Sequence, residues 1–195
     1  MPTYPWQDTL ESNGVLTKAI DRPSPGIAAL LDGVSEDRTH CVLDLANGTK
    51  SALEVYRRFA RWVRFAGILD GSVCDTRALA HRPGKIDPPY DLVLAWDVLD
   101  RVPPDERPLV VQQLTEVSAP NARLYVLTSA PDKAVFQPMR FSVLDVGLMR
   151  CEPLGPLGPA KEPLLPAEVE RLLMPFQVIT GFTLHPGFRE YVSVL

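Results

Sequence analysis

The sequence predicts an α/β domain built on a mostly parallel sheet with an antiparallel hairpin at its C-terminal end. Three observations carry this. Short, nearly all-apolar runs such as Cys41–Leu45 and Tyr90–Trp96 read as strands buried on both faces. Stretches with helical spacing separate them, as crossover connections in a parallel sheet require. Two strand-like segments, 177–184 and 188–195, flank Pro186-Gly187, a pair suited to a hairpin turn.

The elements follow in order. Residues 1–38 form an N-terminal arm with one short helix at Ile27-Ala28-Ala29-Leu30-Leu31, and 39–195 form the main domain. Cys41–Leu45 is the first strand, and Asn47-Gly48 marks the turn after it. Ser51 to Arg61 is a helix with Leu53, Tyr56 and Phe59 on one face, and residues 62–66 are the second strand. Residues 67–89 carry little pattern. Residues 91–96 form the next strand, whose terminal Trp96 is expected to be buried. Pro103-Pro104-Asp105 opens a helix to Val117. A strand follows at 122–129, then a short one at Phe141–Leu144. Residues 151–163, with four Pro and two Gly, read as a long loop. Pro166 to Leu173 is a short helix before the hairpin. Strands 41–45, 62–66, 91–96 and 123–128 are expected to be parallel neighbours.

Composition narrows the function. With 195 residues, 46% hydrophobic and 23% charged, the chain suits one globular domain. A net charge of −4 argues against a broad nucleic-acid footprint. Tyr56-Arg57-Arg58 with Arg61 and Arg64 is a local basic cluster, read as a solvated helix face. No apolar run reaches membrane length and the N-terminus lacks a signal-peptide pattern, so a cytoplasmic location without membrane contact is expected. Cys41, Cys74 and Cys151 form no CxxC pair, which suits reduced thiols. His40, His81 and His185 show no ligand spacing, so no metal is expected. The sequence contains no Gly-x-Ser-x-Gly elbow, P-loop or HExxH.

Two motifs resemble those of class I S-adenosylmethionine (SAM)-dependent methyltransferases, which have a Rossmann-like fold. Val42-Leu43-Asp44-Leu45-Ala46-Asn47-Gly48-Thr49-Lys50 is similar to that family's first motif, VLDLACGTG. Tyr90–Leu99 is similar to its fourth-strand motif. Val117–Leu124 resembles the passage into its fifth strand, and the terminal hairpin resembles its reversed seventh strand. The resemblance covers roughly residues 38–195 and implies SAM as cofactor. It places Asp44, Ala46 and Gly48 at the cofactor's amino-acid portion, Asp75 (after Cys74) at its adenine and Asp97 at the active edge of the sheet. For Asp44 a structural role, capping the next helix or holding loop amides, is an equal competitor, and for Asp97 a structural role capping the following turn is favoured over a substrate contact. No catalytic residue is identified.

Three departures from the family pattern predict cofactor binding that is weak or lost. Lys50 replaces the last glycine of the first motif, where its side chain either fills the space of the cofactor's methionine end or snorkels away. Gly67 stands where the resemblance implies a ribose-binding carboxylate, with Asp70 three residues later. The interval from Gly67 to Tyr90 is short for the helix and strand the family places there. Two functions stay open. One is a degenerate member serving as a binding or assembly module, with a protein partner or a second copy of itself. The other is an active methyltransferase on a small-molecule acceptor.

Overall fold

The computed structural model describes residues 18–67, 69, 88–129, 137–155, 163–184 and 187–195. They form nine strands and five helices: β1 (Ile20–Pro23), α1 (Pro25–Leu31), β2 (His40–Asp44), α2 (Lys50–Tyr56), β3 (Ala60–Phe65), β4 (Tyr90–Trp96), α3 (Val98–Arg101), α4 (Arg107–Val117), β5 (Ser118–Ser129), β6 (Met139–Asp145), β7 (Leu148–Pro153), α5 (Pro166–Leu173), β8 (Gln177–Leu184) and β9 (Phe188–Val194).

Six strands make the main sheet, in the order β3-β2-β4-β5-β9-β8. The first four are mutually parallel, with Asp44 beside Phe65 on one side and Leu94 on the other. β9 runs antiparallel between β5 and β8. The four expected parallel neighbours and the closing hairpin are therefore present. The central strands are apolar because both faces are covered: Val42, Val93, Leu124 and Val126 are all fully buried. Trp96, at the end of β4, is also fully buried.

A second sheet, β1-β7-β6, is antiparallel. It contains the expected strand around Phe141, which does not extend the main sheet. It also corrects the reading of 151–163 as loop throughout, because Cys151–Pro153 pairs with Met139–Phe141. Cys151 is buried there and faces the core, which favours a strand over a solvated turn. β1 had no legible signal, being four residues of alternating burial whose partner lies far along the chain.

Helix boundaries also shift. The helix expected over Ser51–Arg61 stops at Tyr56, because Ala60 and Arg61 are drawn into β3 by pairing with β2. Thr49 caps its start, accepting from the Ala52 amide at 3.1 Å. The helix expected from Pro103 begins at Arg107, preceded by the separate turn of α3. α1 lies where expected. Ser24 caps it, and Ile27 and Leu30 join the same core cluster as the central strands.

Candidate functional site

The C-terminal ends of β2, β3 and β4 are adjacent, and in an open parallel sheet this is where ligands bind. β2 ends on Asp44, β3 on Phe65 and β4 on Trp96.

Asp44 is 1% exposed, and both its carboxylate oxygens are engaged. Oδ1 accepts from the Trp96 indole Nε1 at 2.6 Å and from the Ala46 amide at 2.9 Å. Oδ2 accepts from the Tyr56 hydroxyl at 2.7 Å. Burial raises the Asp44 pKa against the opposing pull of these three donors. Burial and the neighbouring carboxylate push the Tyr56 phenol well above its ordinary value, so it stays a donor. The bond to Ala46 is the loop-amide role the sequence left open for Asp44.

Trp96 has a φ of 49°, in the left-handed region that a bulky residue rarely adopts. Its ring stacks on Phe141 of β6 with centroids 5.6 Å apart and planes 7° from parallel. Tyr125 meets it edge-on at 5.4 Å. The small sheet thus closes over the end of β4 through one aromatic stack.

At the neighbouring turn, Ala46 is buried and Gly48 lies under the Phe65 ring. A Cβ on Gly48 would fall 2.7 Å from Phe65 Cδ2, so the missing side chain is matched by an aromatic ring of this chain. Tyr56 touches the same ring at a centroid distance of 6.0 Å. Gly67 takes a φ of +63°, and a Cβ there would meet Asn47 Oδ1 at 2.6 Å. Lys50 points to solvent, with its side chain 92% exposed and 3.8 Å from Glu54. Of its two expected placements, the outward one is present.

Asp97 is buried and receives the Arg101 Nε–H at 2.8 Å. The same guanidinium donates to the carbonyls of Leu69 at 2.6 Å and of Met139. Arg101 therefore clasps the segment after β3, the start of α3 and the start of β6. Asp100, also buried, accepts from the Ser129 amide at 2.6 Å, and its pKa is pushed up to about 6, chiefly by burial. Asp70, Cys74 and Asp75 lie outside the described residues, as do residues 156–162 of the Pro-rich segment.

The structure therefore brings Asp44, Ala46 and Gly48 together and sets Asp97 in a separate buried ion pair. Sequence reasoning missed Tyr56, Phe65 and Phe141 as neighbours of this site. Tyr56 had a usable signal: an inward-facing Tyr needs a partner for its hydroxyl. It also missed Glu190 of β9, which is fully buried and accepts from the Ser24 hydroxyl, the Gly26 amide at 2.9 Å and the Tyr125 hydroxyl at 2.7 Å. A groove of about 450 Å³ opens between α5 and the β8–β9 hairpin, but none of its lining residues belongs to β2, β3 or β4. Among the described residues no group of three or more His, Cys, Asp or Glu could hold a metal. No helix there is long and apolar enough to cross a membrane.

No family model and no curated protein matches the chain. Solved structures do resemble it. The 1,6-didemethyltoxoflavin-N1-methyltransferase of Burkholderia thailandensis, solved with 1,6-didemethyltoxoflavin and S-adenosylhomocysteine, superposes with a TM-score of 0.54 at 14% identity, over 87% of this chain and 76% of that one. A SAM-dependent methyltransferase from Mesorhizobium loti gives a TM-score of 0.54 at 12% identity, over 88% and 96%. A putative SAM-dependent methyltransferase from Listeria monocytogenes gives 0.53 at 13%, over 87% and 98%. With the strand order and the reversed hairpin strand, these likenesses show that the chain has the Rossmann-like fold of class I SAM-dependent methyltransferases.

Proposed function

We propose that this chain is a degenerate methyltransferase-like domain that serves as a binding or assembly module and holds SAM weakly or not at all. The observation that carries this reading is the filling of the strand-end site by the chain's own side chains. The Phe65 ring rests on Gly48, and Tyr56 and Trp96 occupy the Asp44 carboxylate. A cofactor amino acid laid on the turn after β2 needs backbone free to approach it, and its ribose needs a carboxylate beside β3. Residues 60–67, Ala-Arg-Trp-Val-Arg-Phe-Ala-Gly, supply none. Gly67 is a poor place to add one, because its positive φ and the nearby Asn47 amide oppose any side chain. Among the described residues, none beside β3 offers the carboxylate that the ribose of SAM needs, and the turn that would take its amino-acid end lies under Phe65.

The competing reading is an active methyltransferase on a small-molecule acceptor. It is supported by the retained turn after β2 and by the fold's relatives, one of which was solved with S-adenosylhomocysteine and a small acceptor. Methyl transfer rests on alignment and exclusion of water more than on a protein nucleophile, so the lack of a catalytic constellation is no obstacle to it. Calorimetric titration with SAM and S-adenosylhomocysteine separates the two.

A further inference from the structure

The basic cluster gathers at the corner of the sheet opposite the cofactor end. Four of the chain's 20 Lys and Arg fall within residues 57–64, on a chain of net charge −4. Pairing of His40 with Ala60 and of Cys41 with Trp62 sets the start of β2 against the end of α2 and the start of β3. Arg38, Arg57, Arg58 and Arg61 are all exposed there. Trp62, next to Arg61 in β3, has 44% of its surface in solvent, although most large apolar side chains among the described residues are buried.

Three nearby acids have partners within this corner: Asp91 Oδ2 accepts from the Cys41 amide at 2.7 Å and sets its charge near Arg61. Asp37 accepts from the Thr39 hydroxyl at 2.7 Å, and Asp145 takes Arg58 at 3.0 Å. The Arg61 Nε–H donates to Cys41 Sγ at 3.3 Å, which ties its side chain to the start of β2. No ion pair among the described residues engages Arg57.

From this placement we infer that the corner formed by Arg57, Arg61 and Trp62, with Arg58 held at its margin by Asp145, is a docking surface for a protein partner that presents carboxylates around an apolar side chain. Arg and Trp are the residues that most often dominate protein interfaces, and an exposed ring within a cationic rim needs an apolar anchor plus acidic neighbours to cover it. The chain's net negative charge argues for a limited acidic protein surface over a polyphosphate, which would meet repulsion beyond the patch. The inference deepens the assembly reading and rests on it. It involves the sheet end away from Asp44, so the two are measured separately.

The probe is a synthetic Glu-rich peptide with a central Phe, titrated against the whole chain and followed by fluorescence anisotropy. Oligothymidylate serves as the competing ligand. The expected result is saturable peptide binding that weakens with salt, falls roughly ten-fold or more in Arg57→Glu and falls again in Trp62→Ala. Both side chains are exposed, so these variants keep the fold, and Arg57→Gln provides an intermediate charge step. Absence of peptide binding, binding indifferent to Arg57→Glu and Trp62→Ala, or tighter binding of oligothymidylate would overturn the inference. SAM titration of the same variants stays at its wild-type value whichever result is obtained, so failure here is distinct from failure of the cofactor reading.

Discussion

Trp96 donates its indole N–H to the Asp44 carboxylate across 2.6 Å, joining the ends of two neighbouring parallel strands inside the protein. The same carboxylate holds the turn after β2 through the Ala46 amide and fixes α2 through the Tyr56 hydroxyl. One buried group therefore ties β2, β4, the intervening turn and the following helix. Such a group is stabilising only while every partner is present.

Replacing Trp96 should be costly in two separable ways. Trp96→Phe keeps most of the ring but removes the donor, leaving Asp44 short of a bond at about 1–3 kcal/mol. Trp96→Ala also removes the stack on Phe141 and should cost about 3–5 kcal/mol. Denaturant melts compare them. A loss under about 1 kcal/mol in Trp96→Ala would mean that the end of β4 is not packed as described.

Gly26 should resist even one added methyl group. Its amide donates to Glu190 at 2.9 Å, and a Cβ would fall 2.8 Å from both Glu190 Cβ and Tyr125 Cε2. Gly26→Ala should therefore destabilise by about 1–3 kcal/mol through overpacking, despite the higher helix propensity of Ala. Thermal melts that show stabilisation would place α1 away from β9.

Asp100 makes stability depend on pH in an unusual direction. Its folded pKa is raised from 3.8 to about 6, mainly by burial and secondarily by the nearby Asp97 charge. Between those values the folded state binds more protons than the unfolded one, so stability is fullest below about pH 4 and is lost as pH rises through about 6. The shift corresponds to about 3 kcal/mol at most. Asp100→Asn keeps an acceptor for the Ser129 amide and removes the buried charge, so it should raise stability at pH 7 and flatten this limb. Unchanged pH dependence between 4 and 7 in Asp100→Asn would contradict the assignment.

The sequence made the parallel strands legible because each is an unbroken apolar run bounded by turns, and residues 177–195 carried their hairpin signal at Pro186-Gly187. The second sheet was not legible. β1 and β7 meet across more than a hundred residues, and no local pattern encodes that pairing. At the site, Asp44, Ala46 and Gly48 were visible as a motif, but their engagement was not. Which residue occupies the Asp44 carboxylate depends on the rotamers of Tyr56 and Trp96, and what covers Gly48 depends on strand register with Phe65. For Lys50, sequence left two placements open, and only the fold of α2 points it outward beside Glu54.

Lys50, which follows the turn in sequence, and Phe65, which covers its Gly48 in space, should respond differently. Lys50→Gly should change SAM affinity less than about two-fold, because the side chain is in solvent. Phe65→Ala, which uncovers Gly48, should strengthen S-adenosylhomocysteine binding if the ring is the obstruction. Restoration by Lys50→Gly with no effect of Phe65→Ala would reverse the roles given to these residues.

The most direct test is calorimetric titration of the unmodified chain with SAM and with S-adenosylhomocysteine. A ribose diol that lacks its carboxylate forgoes charge-assisted bonds of about 1.5–3 kcal/mol each, so affinity should fall ten-fold or more from that alone. The account predicts no saturable heat from either ligand at micromolar concentrations. Micromolar or tighter binding of SAM would contradict it and establish that the site filled by Phe65, Tyr56 and Trp96 opens to admit the cofactor.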